Sequence, residues 1–239
     1  QVWLRTATEN GRDFFAICVD ENSGAILHNK KLFHSDDPEP LGNNTNFYAS
    51  PSPAIEPGRV YVHFGSYGTG CLSTAPGEVL WQRTDLKCRH YRGPSSSVVL
   101  FENLVILTLD GADLQYVVAL DKQTGNTVWK TDRDVKWHDQ DNIPSNPEVA
   151  KRVRDGDMRK AHSTPLIVTL PDGRPQMLSG GAMSAFAYNP RNGNEDWRIT
   201  FDDFSVISSI RALRRAIFSS TRGSLPRPFS SAARRASFV

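Results

Sequence analysis

The chain has 239 residues, suited to one or two ordinary domains, and its formal net charge of +2 comes from 28 Lys and Arg against 26 Asp and Glu. No apolar run approaches the ~20 residues of a membrane-crossing helix, and three isolated cysteines, Cys18, Cys71 and Cys88, give no closed disulfide framework. The charge is unevenly placed: residues 205–239 carry seven arginines and no acid or lysine, which leaves 2 − 7 = −5 on residues 1–204.

In chain order, Val2 to Thr6, Phe14 to Val19 and Ile26 to Phe33 read as three strands. Residues 34–49 are a polar connection rich in Pro and Asx. A second unit runs from about 50 to 86, with the strand Val60 to Phe64 and the glycine-rich stretch Gly65 to Gly70. That stretch lacks phosphate-loop spacing and reads as a tight strand connection. Residues 87–97 link to a third unit at 98–131, whose inner loop is Asp110 to Asp113. Residues 132–162 are the longest insertion, with Glu148 to Arg154 reading as a short helix. A fourth unit spans 163–201, with a turn at Pro171 to Pro175. From Phe204 the repeat character breaks off into an Arg/Ser-rich tail, 205–239.

One phrase recurs. Val118-Ala119-Leu120-Asp121-Lys122-Gln123-Thr124-Gly125-Asn126-Thr127-Val128-Trp129 is a hairpin whose Gly125 supplies a positive φ. Looser copies centre on Gly24, Gly77 and Gly193, at spacings of 53, 48 and 68 residues by subtraction. Trp81, Trp129 and Trp197 follow the turn in three copies, and His28 stands there in the first. A Ser/Pro phrase opens each later unit: Ser50 to Pro53, Pro94 to Ser97, and His162 to Pro165. Periods of this length mean supersecondary units that bury their faces by stacking. Four antiparallel strands per unit is the blade of a β-propeller. The expected fold is therefore all-β: an incomplete propeller of about four four-stranded blades plus an aborted fifth over 1–204, an arc with raw strand edges whose parent protein is longer.

The Ala-x-Asp-x-x-Thr-Gly-x-x-x-Trp phrase resembles the tryptophan-docking repeat of PQQ-like (quinoprotein-type) β-propellers. That family includes quinoprotein dehydrogenases and the propeller lipoprotein of outer-membrane protein assembly. The resemblance implies that Trp81, Trp129 and Trp197 pack between adjacent blades, with Gly24, Gly77, Gly125 and Gly193 shaping the docking turns. It also implies a periplasmic or exported setting.

In a propeller the connections between blades emerge on one face. Here they are the longest and most polar parts of the body, so that face is the expected binding surface. Its candidates are Arg89, His90, Tyr91, Arg92, Trp137, His138 and His162. Asp132, Asp134, Asp139 and Asp141 lack the spacing of an EF-hand and read as a solvated acidic loop. Neither a Ser-His-Asp order nor a CxxC zinc pattern nor an HExxH helix appears, and no catalytic or metal residue is assigned. The expected function is a non-enzymatic scaffold for a protein, peptide or glycan, without a cofactor. The alternative is a fragment of a PQQ-dependent dehydrogenase, for which the resemblance implies PQQ, Ca²⁺ and a vicinal Cys-Cys pair; no two cysteines here are adjacent. Association through the open propeller edges is a further expectation.

For the tail, Ile207, Ile210, Leu213 and Ile217 lie at helical spacing with Arg211, Arg214 and Arg215 between them. A basic amphipathic helix of that kind suits an anionic membrane or nucleic acid. The favoured reading is an out-of-frame or truncated end, and no nucleic-acid partner is expected.

Overall fold

The computed structural model describes residues 1–42 and 46–200, and the backbone of 237 and 238. The tail readings, including the aborted fifth blade and the basic helix, fall outside the described residues. Alternating side chains and Gly turns build four antiparallel sheets, each a meander in chain order. The first holds β1 (Val2–Ala7), β2 (Asp13–Val19) and β3 (Ile26–His34). The second holds β4 (Ala54–Glu56), β5 (Arg59–His63), β6 (Thr69–Ser73) and β7 (Val79–Arg83). The third holds β8 (Val99–Phe101), β9 (Leu104–Asp110), β10 (Gln115–Asp121) and β11 (Thr127–Asp132). The fourth holds β12 (Leu166–Thr169), β13 (Pro175–Gly180), β14 (Ser184–Tyr188), β15 (Glu195–Thr200) and a short β16 (Ser237–Phe238). The sheets are the blades of an incomplete all-β propeller.

A polar side chain closes the outer hairpin turn of every blade. Asp20 accepts from the amides of Asn22 and Ser23 and Asp121 from those of Gln123 and Thr124, while Ser73 accepts from the Glu78 amide and Asn189 from that of Arg191. Four hairpins share a register shift at the same place, at Cys18/Val19, Cys71/Leu72, Ala119/Leu120 and Ala187/Tyr188. Such bulges bend the strand and sharpen its twist.

Three apolar clusters lie between consecutive blades. Trp3, Phe14, Phe33, Val60 and Phe64 share one; Tyr61, Trp81, Val105 and Leu107 the next; Ile106, Val117, Trp129, Met177 and Phe186 the third. Middle strands that serve two interfaces, such as β5, β9 and β10, are buried on both faces. Cys18 and Cys71 sit in equivalent positions inside these clusters as small buried thiols.

The docking geometry explains why the turn residue is glycine. The Trp81 indole donates to the Lys122 carbonyl at 2.9 Å, and a Cβ on Gly125 would come within 2.7 Å of its ring. Trp129 donates to the Pro190 carbonyl at 3.1 Å, and a Cβ on Gly193 would lie 2.4 Å from it. His28, the expected exception, fills the same place in the first interface. Its Nε2 is 3.0 Å from the Ala75 carbonyl, and a Cβ on Gly77 would meet its ring at 2.7 Å. Gly24 has open space at the corresponding point. Trp197 packs with Val168, Leu178 and Ala187 on the far face of the fourth blade.

Candidate functional site

In each meander the connections alternate between the two ends of the blade. One end therefore carries the turns with the docking glycines. The other carries the β1–β2, β5–β6, β9–β10 and β13–β14 loops, together with the long connections between blades. Contacts between these segments define one continuous surface. A Cβ on Gly65, in the β5–β6 loop, would strike His90 and Pro94; one on Gly111, in the β9–β10 loop, would strike Arg89 and Cys88. Gly156 packs likewise on Ala112.

The insertion between the third and fourth blades is ordered by local chemistry. The Asn146 side chain caps α1 (Pro147–Arg154) through the amides of Glu148 and Val149, and Pro147 stands in its first turn. Ala150 and Val153 bury its inner face, and Gly156, at φ 80°, ends it. The chain then delivers Asp157, Lys160 and His162 to the centre of the loop face.

Charged side chains pin the connection 87–97. The Glu39 carboxylate accepts from the amides of His90 (2.6 Å) and Tyr91 (2.8 Å). Tyr91 adopts φ 55°, a left-handed conformation that this clamp holds in place. Arg92 forms a bidentate pair with buried Asp157, which also receives Arg152. Burial opposes ionisation of Asp157, yet Arg92 and Arg152 hold its carboxyl below the ordinary range. Arg89 is exposed; its amide donates to Asp113 at 2.6 Å and its guanidinium to the Asp155 carbonyl.

Beneath lies a buried polar cluster. His90, 4% exposed, accepts from the Ser66 amide through Nε2 at 2.8 Å, and its Nδ1 faces Lys160 Nζ at 3.2 Å. Cys88 Sγ touches the imidazole, and burial pushes its thiol up to about 12. His63 bonds Thr69 at 2.8 Å. Burial lowers His63 to about 3 and His162 to about 4, and drives His90 well below its ordinary value. Arg133 pairs with Asp110 and Ser179 and lies 4.6 Å above the Phe186 ring. Burial raises the Asp110 carboxyl despite that guanidinium.

The sequence candidates thus divide. His90 belongs to the buried cluster, and half-buried His162, bonded to Ser95, stands at its edge. Arg92 is a strut. Arg89 and Tyr91 reach the surface, as do His138, paired with Asp141, and Trp137, under the Arg159 guanidinium. Asp139 is not solvated as expected: it is buried in a bidentate pair with Arg159. Lys160, His63, Asp110, Arg133 and Glu39 were not singled out. Lys160, two residues before a blade opener, looks like an ordinary loop lysine. Exposed Phe47 and Leu114 lie on the same face. A cleft of about 380 Å³ runs between the β1–β2 loop and the first connection, lined by Arg5, Thr8, Glu9, Phe47 and Tyr48.

Residues 18–220 match the PQQ-like sequence family described as outer membrane protein assembly factor BamB, and the chain belongs to that family. The match runs past the expected domain boundary at 204. No curated protein matches the sequence. Among solved structures, a europium-containing methanol dehydrogenase shares the fold, with a TM-score of 0.57 and 12% identity over 85% of this chain and 40% of its own. The quinohemoprotein alcohol dehydrogenase ADHIIG of Pseudomonas putida HK5 gives 0.52 and 15%, over 85% of this chain and 33% of its own. That of Comamonas testosteroni gives 0.51 and 16%, over 85% and 34%. The chain therefore spans 40% or less of the length of these structures.

Proposed function

We propose that this member of the BamB family is a protein-binding propeller scaffold that takes an extended segment of a partner across its loop face. The observation that carries the reading is the composition of that face. Phe47, Arg89, Tyr91, Leu114 and Trp137 stand at its surface, backed by the Glu39, Asp157 and Asp139 clamps. Aromatic and Arg side chains on a rigid support are what dominate protein interfaces. The family description points to a partner in outer-membrane protein assembly and, with it, to the periplasmic side of that membrane. A peptide binds by its backbone and alternating side chains more readily than a glycan does where apolar Phe47 and Leu114 flank the site.

The test is fluorescence anisotropy with labelled peptides that copy apolar-alternating β-strands of outer-membrane proteins. Binding should weaken about tenfold or more in a Phe47→Ala, Arg89→Ala double variant, the loss expected of interface anchors. Unchanged affinity in that variant sinks the proposal.

The dehydrogenase alternative draws on fold likeness. Among the described residues no group of three His, Cys, Asp or Glu side chains is arranged to hold a metal, and the three cysteines are free and apart. The residues present do not fit the metal centre, and no step through a metal or quinone is derived. Dye reduction that requires added PQQ and Ca²⁺ would favour that alternative over the scaffold.

A further inference from the structure

Lys160 is 2% exposed, and its Nζ sits against the His90 ring. The hydrogen bonds around that ring fix its proton. A neutral imidazole has one donor nitrogen and one acceptor. The Ser66 amide donates to Nε2, so Nε2 is the acceptor and the proton lies on Nδ1. The neighbouring Ser66 hydroxyl is already committed: it donates to the Cys88 carbonyl and accepts the Cys88 amide. The His90 Nδ1–H then points at Lys160 Nζ. An ammonium has three donors and no acceptor, so a charged Lys160 would set donor against donor at 3.2 Å. An unprotonated amine has the lone pair that the contact requires.

From this geometry we propose that Lys160 stands as a free amine in the folded protein and captures small aldehydes as an imine. The proposal goes beyond the scaffold function and does not depend on it. Nζ attacks the carbonyl carbon, a C–N bond forms, and the carbonyl oxygen leaves as water with the two amine protons. No oxidant or reductant takes part. Electrostatics agree. Burial lowers the proton affinity of Lys160, while Cys88, Asp110 and Glu39 act in the opposite sense. Cys88 is a thiol at neutral pH, and the Asp110 charge is engaged by Arg133. The surrounding His63, His90 and His162 are neutral at pH 7. Asp110 Oδ1, Arg133 Nε and Ser163 Oγ are buried without a protein hydrogen-bond partner, and such groups favour a small polar molecule over an apolar one. Burial restricts the substrate to a small aldehyde and excludes a protein carbonyl.

The test treats the full chain with acetaldehyde and sodium cyanoborohydride at pH 7 and reads the ethylated peptides by mass spectrometry. An ordinary lysine is neutral in only about one molecule in a few thousand at that pH. Lys160 should therefore label at least tenfold more than exposed Lys30, Lys130 and Lys136. A Lys160 that stays unlabelled while those react overturns the proposal. A second readout compares thermal unfolding of Lys160→Met and Lys160→Arg. A neutral site predicts that Met is tolerated and that Arg, always charged, lowers the midpoint; the reverse order overturns the proposal equally.

Discussion

Trp129 packs against Gly193, the turn glycine of the following blade, and donates its indole N–H to the Pro190 carbonyl beside it. The same pairing joins Trp81 to Gly125 and His28 to Gly77. Each glycine meets two demands, a positive φ and an absent side chain, whereas Gly24 meets only the first.

Alanine substitution separates those demands. Gly24→Ala should cost about 1 kcal/mol, the strain of a left-handed residue. Gly125→Ala and Gly193→Ala should cost about 2–4 kcal/mol, because overpacking against the indole adds to that strain. Urea unfolding measures the difference. Equal losses at all three positions would show that the rings do not govern docking.

Trp81→Phe and Trp129→Phe keep an aromatic but each removes an indole hydrogen bond, from the Lys122 carbonyl, which keeps longer contacts from Arg59 and Tyr61, and from the Pro190 carbonyl. A loss of about 1–3 kcal/mol is expected for each. The two rings sit in separate apolar clusters, so the double variant should show nearly the sum in the same urea titration.

The Asp110–Arg133 pair is buried on both sides. Asp110→Ala strands the guanidinium and should cost about 3–5 kcal/mol. Replacing both residues, as in Asp110→Leu with Arg133→Met, should recover most of that loss. Calorimetry of the three variants decides the matter: a double variant no better than Asp110→Ala refutes the account.

Acid should unfold the protein through its buried histidines. His63, His90 and His162 have folded values below the unfolded one of about 6.5, set chiefly by burial. Below pH 6.5 the unfolded chain binds more protons, so stability is full above that pH and falls as pH drops toward 4. The slope is about 1.4 kcal/mol per pH unit for each histidine that stays neutral in the fold. His63→Gln should flatten the profile between pH 6.5 and 4 in urea titrations repeated across that range. An unaltered slope would mean that His63 does not titrate on unfolding.

Removing the Glu39 clamp should affect binding more than folding. Glu39→Ala frees two amides and the left-handed Tyr91 at the loop surface. Hydrogen exchange should quicken over 89–93 while the blades stay protected, and peptide affinity should fall. Unchanged exchange at His90 and Tyr91 would show that the carboxylate does not hold them.

The blades were legible in the sequence because glycine turns, strand alternation and a recurring aromatic are local signals. The face was legible too, since long polar connections between regular units must share an end. Lys160, Asp110 and Arg133 were not: each looks like a surface residue until the connection 132–162 folds back over the centre. His28 shows the opposite limit. A departure from the repeated tryptophan gives no sign of docking in the sequence, yet the imidazole packs on the same turn glycine and reaches the next carbonyl along that turn.

The direction of docking gives the arc a polarity. His28, Trp81 and Trp129 each reach forward to a turn that the ribosome makes later. A blade emerging during synthesis therefore keeps one flank of its ring wet until the next one arrives, and the newest blade is always the least finished. Loss of residues from the carboxyl end should uncover a docking ring each time a unit is removed, Trp129 first, then Trp81, then His28, while loss from the amino end bares the facing glycine and the aliphatic flank beside it.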